Sequence, residues 1–215
     1  MTPLKTFQNL SKPKQKRITR AAVEEFSEKG FTGASINAIV KNLGIAKGSI
    51  FQYFGDKQGL FLFVFNQAME MVKDYLRTVR DQTEDEELFS RLEKTLLAGV
   101  HFLREHPLLY TLYLKVLFES QIPFRNKILA SLRSYSHEYL YSLLETAKDR
   151  GELRENIDLD KTSFVLDAIM DRFLQAQAIQ HLDAGLGLYK TDEENARDWI
   201  AGIVDIMRIG IGCEE

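Results

Sequence analysis

Cysteine and proline are both scarce in this sequence: of its 215 residues, one is cysteine and four are proline. The single cysteine, Cys213, excludes an internal disulfide and any metal cluster built on cysteine ligands. So few prolines leave room for long helices, because proline interrupts a helix interior. No apolar run reaches the roughly 18 residues that cross a bilayer, and the N-terminal stretch lacks the apolar segment of a signal peptide. The sequence therefore predicts a cytoplasmic protein with no membrane partner.

Recognisable catalytic motifs are absent as well. The sequence has no glycine-rich phosphate loop, no nucleophile elbow and no HExxH zinc motif. His101 and Glu105 are one helical turn apart, with His106 beside them, but two ligands without a third make an incomplete metal site. A polar lining residue or a helix cap is the favoured interpretation of this group. We therefore predict no enzyme, no catalytic residues, no metal and no cofactor.

Helical periodicity runs along almost the whole chain, whereas strand-type alternation does not occur over any useful length. The pattern predicts an all-α fold of about nine helices. Three of them form an N-terminal helix-turn-helix domain over residues 1–56, with a flexible arm at 1–10, and the others form a larger helical domain over 57–215. Besides two short helices within 35–54, the predicted ranges are 12–29, 57–80, 86–105, 107–119, 123–150, 159–182 and 192–211.

Charge is divided unevenly, although the net charge of the chain is only -3. Residues 1–60 contain ten basic and four acidic residues, and the remainder contains 18 basic and 27 acidic residues. A basic N-terminal region followed by an acidic remainder favours a polyanionic partner at one end of the molecule. Half of the basic residues within 1–60 cluster at the start of the first long helix: Lys12, Lys14, Lys16, Arg17 and Arg20. A solvated basic face would explain this cluster, but contact with DNA phosphates is favoured beside a helix-turn-helix.

Residues 35–54 have the pattern of a helix-turn-helix. The first short helix has apolar residues at one-face spacing, and the second has three more: Ile36, Ile39, Val40, Leu43, Ile50, Phe51 and Phe54. Gly44 lies between them and allows a tight turn. In this motif the N-terminal part of the second helix reaches base edges in the major groove, and here that part is small, polar and basic. An ordinary pair of packed helices is the simpler alternative.

The same stretch resembles the N-terminal domain of TetR-family transcriptional regulators. The resemblance covers about 45 residues without gaps and is carried by Gly30, Phe31, Ser35, Ile36, Ile39, Gly44, Ile45, Lys47, Gly48, Ser49, Ile50, Phe51, Tyr53, Phe54, Lys57 and Leu60. It implies a homodimer that binds a palindromic operator in double-stranded DNA, and most often a repressor released by a small-molecule inducer. Two positions depart from the family pattern: Phe51 replaces a tyrosine, and Ala46 replaces a common serine.

Seven residues on or beside the motif are predicted to contact DNA. Lys47, Ser49 and Gln52 should face base edges, and Gly48 allows close approach of the backbone. Ser35, Tyr53 and Lys57 should contact phosphates. Lys57 stands in the first turn of a helix, where the helix dipole disfavours a cation, and a phosphate docked there would explain it.

The resemblance further implies an inducer pocket enclosed by the fourth to seventh predicted helices and part of the eighth. The candidate lining residues are Phe65, Met69, Val100, His101, Tyr110, Tyr113, Tyr139 and Phe173. For each of them alone, an ordinary core position is favoured over a ligand contact. A mostly apolar wall with tyrosine and histidine groups suits a hydrophobic or aromatic molecule, and no basic cluster indicates a phosphorylated one.

The last predicted helix has two apolar faces, of which one can pack inside and the other needs a partner. We therefore expect the last two helices to pair with their copies in a dimer through Phe164, Ala168, Trp199, Ile203 and Met207. Two other functions remain as alternatives: a small helical enzyme or lipid carrier, and a helical adaptor that binds only protein. The basic N-terminal region and the lack of catalytic groups favour a transcriptional regulator over these two alternatives.

Overall fold

The computed structural model describes residues 5–212, and its regular structure is helical, as predicted. Within that range the backbone contains no strand, only an isolated bridge between Leu153 and Gly212. Ten helices are present: α1 (Lys5–Gln8), α2 (Lys12–Gly33), α3 (Ile36–Leu43), α4 (Lys47–Phe54), α5 (Lys57–Gln82), α6 (Leu88–Glu105), α7 (Pro107–Phe118), α8 (Arg125–Asp149), α9 (Leu159–Ala178) and α10 (Glu193–Ile211). None of these helices is both long enough and apolar enough to cross a membrane.

The helix α1 has no counterpart among the predicted helices, because residues 1–10 read as a flexible arm. Residues 5–8 are instead helical, and Phe7 is only 3% exposed. The ring of Phe7 packs on Phe54 and Phe63, with centroid distances of 4.8 and 5.1 Å. A single aromatic residue in a polar run gives no periodicity, so sequence reasoning missed this packing. Residues 1–4 and the predicted free Cys213 lie outside the described residues.

The helices divide into two compact units. The first, here called the head, contains residues 5–74 and 106–129. Its interior is rich in aromatic and branched residues, with Ile18, Phe26, Ile39, Ile50, Leu60 and Phe61 almost fully buried. Phe61 is in edge contact with Phe26 and Phe31, at centroid distances of 5.0 and 5.3 Å. The functional boundary proposed between residues 56 and 57 is not a boundary of this packing unit, and it remains a prediction.

The second unit, here called the body, contains residues 75–105 and 130–212. Its core is largely aliphatic, and its fully buried residues include Leu88, Leu92, Leu96, Val100, Leu143 and Leu144. Helix α6 contributes most of these residues and packs against both α9 and α10. At Gly99 the two helices α6 and α9 approach closely, since an added Cβ would lie 2.8 Å from the side chain of Leu174. The body is therefore a helical layer built around α6.

Candidate DNA interface

A tight glycine turn joins α3 to α4. Gly44 adopts a left-handed conformation, with φ 67° and ψ 34°, which side-chain-bearing residues rarely adopt. The N–H of Ile45 donates to the carbonyl of Val40 at 3.2 Å, and the N–H of Gly44 donates to the carbonyl of Lys41 at 3.4 Å. This pair of bonds is the Schellman ending of a helix, which satisfies carbonyls left free at its last turn. The predicted turn is therefore present.

The two short helices keep their apolar faces inside the head. Ile36, Ile39 and Val40 of α3 are buried, as are Ile50, Tyr53 and Phe54 of α4. Phe51 differs from the prediction, because 41% of it is exposed. The ammonium group of Lys47 lies 5.9 Å from the centroid of the Phe51 ring. Phe51 therefore belongs to the outer face of α4, together with the residues expected to meet DNA.

The N-terminus of α4 is open. Ala46 occupies the N-cap position and offers no side-chain acceptor, so no side chain caps the first N–H groups of the helix. Lys47 and Gly48 are exposed, and nothing lies within 4 Å of where a Cβ of Gly48 would be. Gly48 is thus not required by packing inside this chain. An uncapped helix start beside an exposed lysine is suited to a negatively charged group.

Two of the other predicted DNA contacts on α4 have different surroundings. Gln52 is exposed, and its backbone carbonyl accepts a hydrogen bond of 2.6 Å from the hydroxyl of Thr6. This bond ties α1 to α4. Tyr53, in contrast, is only 8% exposed, and its ring packs on Phe7 with a centroid distance of 5.9 Å. Tyr53 is mainly a core residue, and its phosphate contact stays a prediction, as does that of the half-buried Ser49 with a base.

Lys57 has an intramolecular explanation that the sequence did not reveal. Its ammonium group donates to the carbonyls of Thr32 at 3.1 Å and of Ala34 at 2.8 Å. It also lies 4.9 Å from the centroid of the Phe31 ring. The carbonyl end of α2 favours a cation, which offsets the unfavourable position of Lys57 at the start of α5. An ammonium group has three donors, so one remains for a phosphate.

Ser35 precedes α3, but its side chain does not cap that helix. Its backbone N–H instead donates to the carboxylate of Glu25 at 2.8 Å, which holds the start of α3 against α2. The hydroxyl is left for another acceptor, such as a phosphate oxygen.

The basic cluster at the start of α2 is exposed. Within residues 5–212, four of its members have no ion-pair partner: Lys12, Lys14, Lys16 and Arg17. Arg20 differs, because it pairs with Glu24 at 2.8 Å. Lys5, Lys41 and Lys47 are exposed and unpaired in the same sense. The head thus presents several cations whose charge no carboxylate of the described chain neutralises.

Comparison with known proteins agrees with this geometry. The family profile described as "Bacterial regulatory proteins, tetR family" matches residues 18–64, from α2 into α5. The crystal structure of a TetR family transcriptional regulator from Chloroflexus aurantiacus J-10-FL is similar over 100% of both chains, with 27% identity and a TM-score of 0.74. Residues 18–64 thus match the DNA-binding domain of the TetR family of transcriptional regulators, and the whole chain shares the fold of a TetR-family regulator.

Two further relatives are similar to this chain over most of their length. The "Fatty acid metabolism regulator protein" of Bacillus subtilis (strain 168) is 29% identical over 152 residues, which are 69% of this chain and 75% of the relative. The "Probable acrEF/envCD operon repressor" of Escherichia coli (strain K12) is 21% identical over 183 residues, covering 82% and 80%. These relatives are transcriptional regulators, which are not enzymes.

The residues predicted to line an inducer pocket divide between the two units. In the head, Phe65 is buried and stacks on Phe61 at a centroid distance of 6.3 Å. Met69 is half-buried, and the rings of Tyr110 and Tyr113 are 5.6 Å apart. These four residues stay candidates for ligand contact.

In the body, Val100 and Phe173 are buried within the aliphatic core. His101 is partly exposed, with its Nε2 atom 3.7 Å from the carboxylate of Glu193. Tyr139 is buried, and its hydroxyl lies 3.1 Å from that of Thr95. Burial raises the pKa of Tyr139, an effect that the Thr95 hydrogen bond and the charge of Arg91 partly oppose. Tyr139 therefore offers a neutral hydroxyl inside the body.

The predicted dimer residues are exposed in part. Phe164 is 72% exposed and Ala168 is also exposed, while Trp199 and Ile203 are half-buried. The prediction that Met207 faces a partner is wrong, because Met207 is 5% exposed and lies in the core of its own chain. The exposed apolar residues of α10 are instead Ile206 and Ile209, at 72% and 79%. Periodicity showed two apolar faces on this helix but not which of them turns inward.

One charged residue of the body was missed entirely. Arg91 is only 5% exposed. It stands three residues after Leu88 and four before Thr95, both of which are buried, so its place on the inner face of α6 could have been found from periodicity. Basic residues in amphipathic helices are ordinarily assigned to the solvent-facing side, which is why Arg91 was not predicted to be buried.

Proposed function

We propose that this protein is a dimeric, ligand-responsive repressor that binds a palindromic operator through α4. The observation that carries the proposal is the group of exposed, unpaired cations around an open helix N-terminus in a helix-turn-helix. Such cations gain affinity for DNA by releasing its counterions, whereas they gain little from a neutral or acidic partner. Neither a lipid carrier nor a protein adaptor needs this arrangement.

The proposed DNA contacts fall into two classes, those to base edges and those to phosphates. Lys47, Ser49 and Gln52 would meet base edges, with Gly48 allowing the backbone to come close. Ser35, Tyr53 and Lys57 would contact phosphates around them. The unpaired cations of α2 would add phosphate contacts that fix the position of the head without reading sequence: Lys12, Lys14, Lys16 and Arg17.

Dimer formation is supported by exposed apolar side chains on the last two helices. Phe164 on α9 and Ile206 and Ile209 on α10 are each more than two-thirds exposed, and exposed large apolar side chains on a shared surface would indicate that a partner covers it. A two-fold dimer through α9 and α10 would place two recognition helices about 34–36 Å apart, one turn of DNA, and would match a palindrome.

Repression is supported by the relatives. One relative is named as an operon repressor and another as a regulator of fatty acid metabolism. We infer that a hydrophobic or aromatic molecule binds the aromatic residues predicted to line the pocket and lowers operator affinity. Such a ligand acts only through its different affinities for the DNA-competent and incompetent states, and a coupling of about 1–3 kcal/mol corresponds to roughly 5- to 150-fold.

A gel-shift assay with genomic fragments of the source organism tests the proposal directly. We expect a small set of fragments to be retained in the presence of competitor DNA, with a protected region that contains an inverted repeat. Failure to retain any fragment at low salt would refute the DNA-binding function. Retention that no apolar compound reverses would refute the inducer while the DNA-binding function remains.

A further inference from the structure

Arg91 is a buried cation in the apolar core of the body. It is 5% exposed and lies on α6 between Leu88 and Leu92, which are 1% and 0% exposed. Arginine is almost never buried to this extent unless its charge is paired, because removing a charge from water costs free energy. A buried guanidinium therefore normally comes with a carboxylate or with several hydrogen-bond acceptors.

Neither kind of partner is present within residues 5–212. No carboxylate oxygen lies within 4.0 Å of the Arg91 guanidinium, and the Nε atom is buried without a hydrogen-bond acceptor. The nearby acidic residue, Glu86, is engaged elsewhere, since its carboxylate bonds to Lys94 and to the hydroxyl of Ser90. The body thus holds a guanidinium that has no direct carboxylate contact and is only 5% exposed.

Two hydroxyl groups lie in the same part of the body as Arg91, and the charge of Arg91 acts on one of them, since it lowers the pKa of Tyr139. Thr95 is one helical turn beyond Arg91, and its hydroxyl donates to the Arg91 carbonyl at 2.7 Å. Because that proton is used, the Tyr139 hydroxyl, 3.1 Å from Thr95, is the donor of the two. The Tyr139 oxygen retains its lone pairs, and the neighbouring side chains are mainly aliphatic. A buried cation near two hydroxyls in apolar surroundings has the chemistry that would suit the acidic end of an otherwise apolar molecule.

We propose that the ligand of this regulator is an apolar carboxylic acid whose carboxylate binds the guanidinium of Arg91. The proposal rests on the ligand-responsive function inferred above and specifies the chemistry of the ligand. The planar guanidinium matches the two oxygens of a carboxylate, and one positive charge balances one negative charge. A phosphate monoester carries nearly two charges at neutral pH and would leave one of them unpaired.

The first experiment measures the stability of the ligand-free protein. Replacing Arg91 by the apolar methionine removes an unpaired buried charge at similar length, so Arg91→Met should raise the melting temperature by roughly 2–4 °C. The matched control is Arg104→Met on the same helix, where the guanidinium already donates to the Thr191 carbonyl at 3.0 Å. The melting temperature of Arg104→Met should not rise. A fall in melting temperature for Arg91→Met would mean that Arg91 supports the fold, and would overturn the proposal.

The second experiment compares acids with their alcohols. Straight-chain carboxylates of six to twelve carbons and phenylalkanoates are titrated beside the alcohols of equal length, with decyl phosphate as a further anion, and binding is followed by thermal shift. At least one carboxylate should bind the wild type roughly 10- to 100-fold more tightly than its alcohol, as expected for a hydrogen bond to a charged group. The preference should disappear in Arg91→Met, return partly in Arg91→Lys, and persist in Arg104→Met.

Two outcomes overturn the proposal while leaving the proposed function intact. One is that alcohols release operator DNA as well as the acids do. The other is that the preference for acids survives in Arg91→Met. A stronger response to decyl phosphate than to every carboxylate would also overturn the choice of carboxylate. If acids bind through Arg91 but never change operator affinity, the ligand site stands and the proposed regulatory function fails.

Discussion

The head and the body differ in how far their surface cations are paired with carboxylates. In the head, the cations at the start of α2 and on α4 have no carboxylate partner among the described residues. In the body, two exposed arginines are paired: Arg208 with Glu87 at 2.6 Å, and Arg197 with Glu193 at 2.6 Å. Surface ion pairs of this kind contribute little to stability, but they leave little charge for an outside partner. The head therefore keeps more of its positive charge available for a polyanion than the body does.

The largest expected effect tests whether the body joins two heads. Changing Ile206 and Ile209 to glutamate should give monomers that bind operator DNA about 100- to 10,000-fold more weakly, because two linked heads bind with a high effective concentration. Sedimentation at micromolar concentration and gel shift measure the two effects. Leu186→Glu is the control, since Leu186 is also 60% exposed in the body but lies before α10. A wild-type monomer that binds its operator tightly would contradict the dimer.

The next effect tests the contrast in charge itself. Alanine at Lys12, Lys14, Lys16 and Arg17 should weaken DNA binding roughly 100-fold and reduce the salt slope of log affinity by about 3–4. The control removes four exposed cations from the body instead: Lys148, Arg154, Lys161 and Arg197. It should leave the slope unchanged. Equal losses in the two variants would mean that net charge, rather than the position of the cations, governs binding.

A smaller effect concerns the two possible roles of Lys57. Lys57→Ala removes the bonds to the Thr32 and Ala34 carbonyls, so the free energy of unfolding should fall by about 1–2 kcal/mol. If the third N–H also contacts a phosphate, the salt slope should fall by about one unit on every DNA sequence. Urea unfolding and salt-dependent gel shifts separate the two contributions. An unchanged slope with reduced stability would leave Lys57 a purely structural residue.

The smallest effect concerns sequence readout on α4. Gln52→Ala should change which operator variant is preferred, by about 1–3 kcal/mol at one base pair, because glutamine reads adenine through two hydrogen bonds. Lys14→Ala serves as the comparison, since a phosphate contact should weaken all variants alike. Identical behaviour of the two variants across an operator library would show that Gln52 does not read bases.

Much of this fold could be predicted from the sequence, because helical periodicity and a turn glycine are local signals. The motif around Gly44 is present as expected, and the tight turn needs no tertiary information. What could not be predicted depends on distant partners. The bonds of Lys57 join residues more than twenty positions apart, and the inward turn of Met207 rather than Ile206 depends on how α10 packs against α6. The inward position of Arg91 could be predicted from periodicity, but the lack of an acceptor for its Nε atom depends on the helices packed around it.

The docking of α1 has a consequence for how the head is completed during synthesis. Phe7 precedes its packing partners Phe54 and Phe63 by about fifty residues in the sequence. Helix α1 therefore has no site to occupy until α4 and the start of α5 have been synthesised. The carbonyl of Gln52 also accepts the Thr6 hydroxyl, so α1 depends on α4 for a hydrogen bond as well as for its packing. The segment Lys5–Gln8 is thus held in place by contacts that can form only after α4 exists.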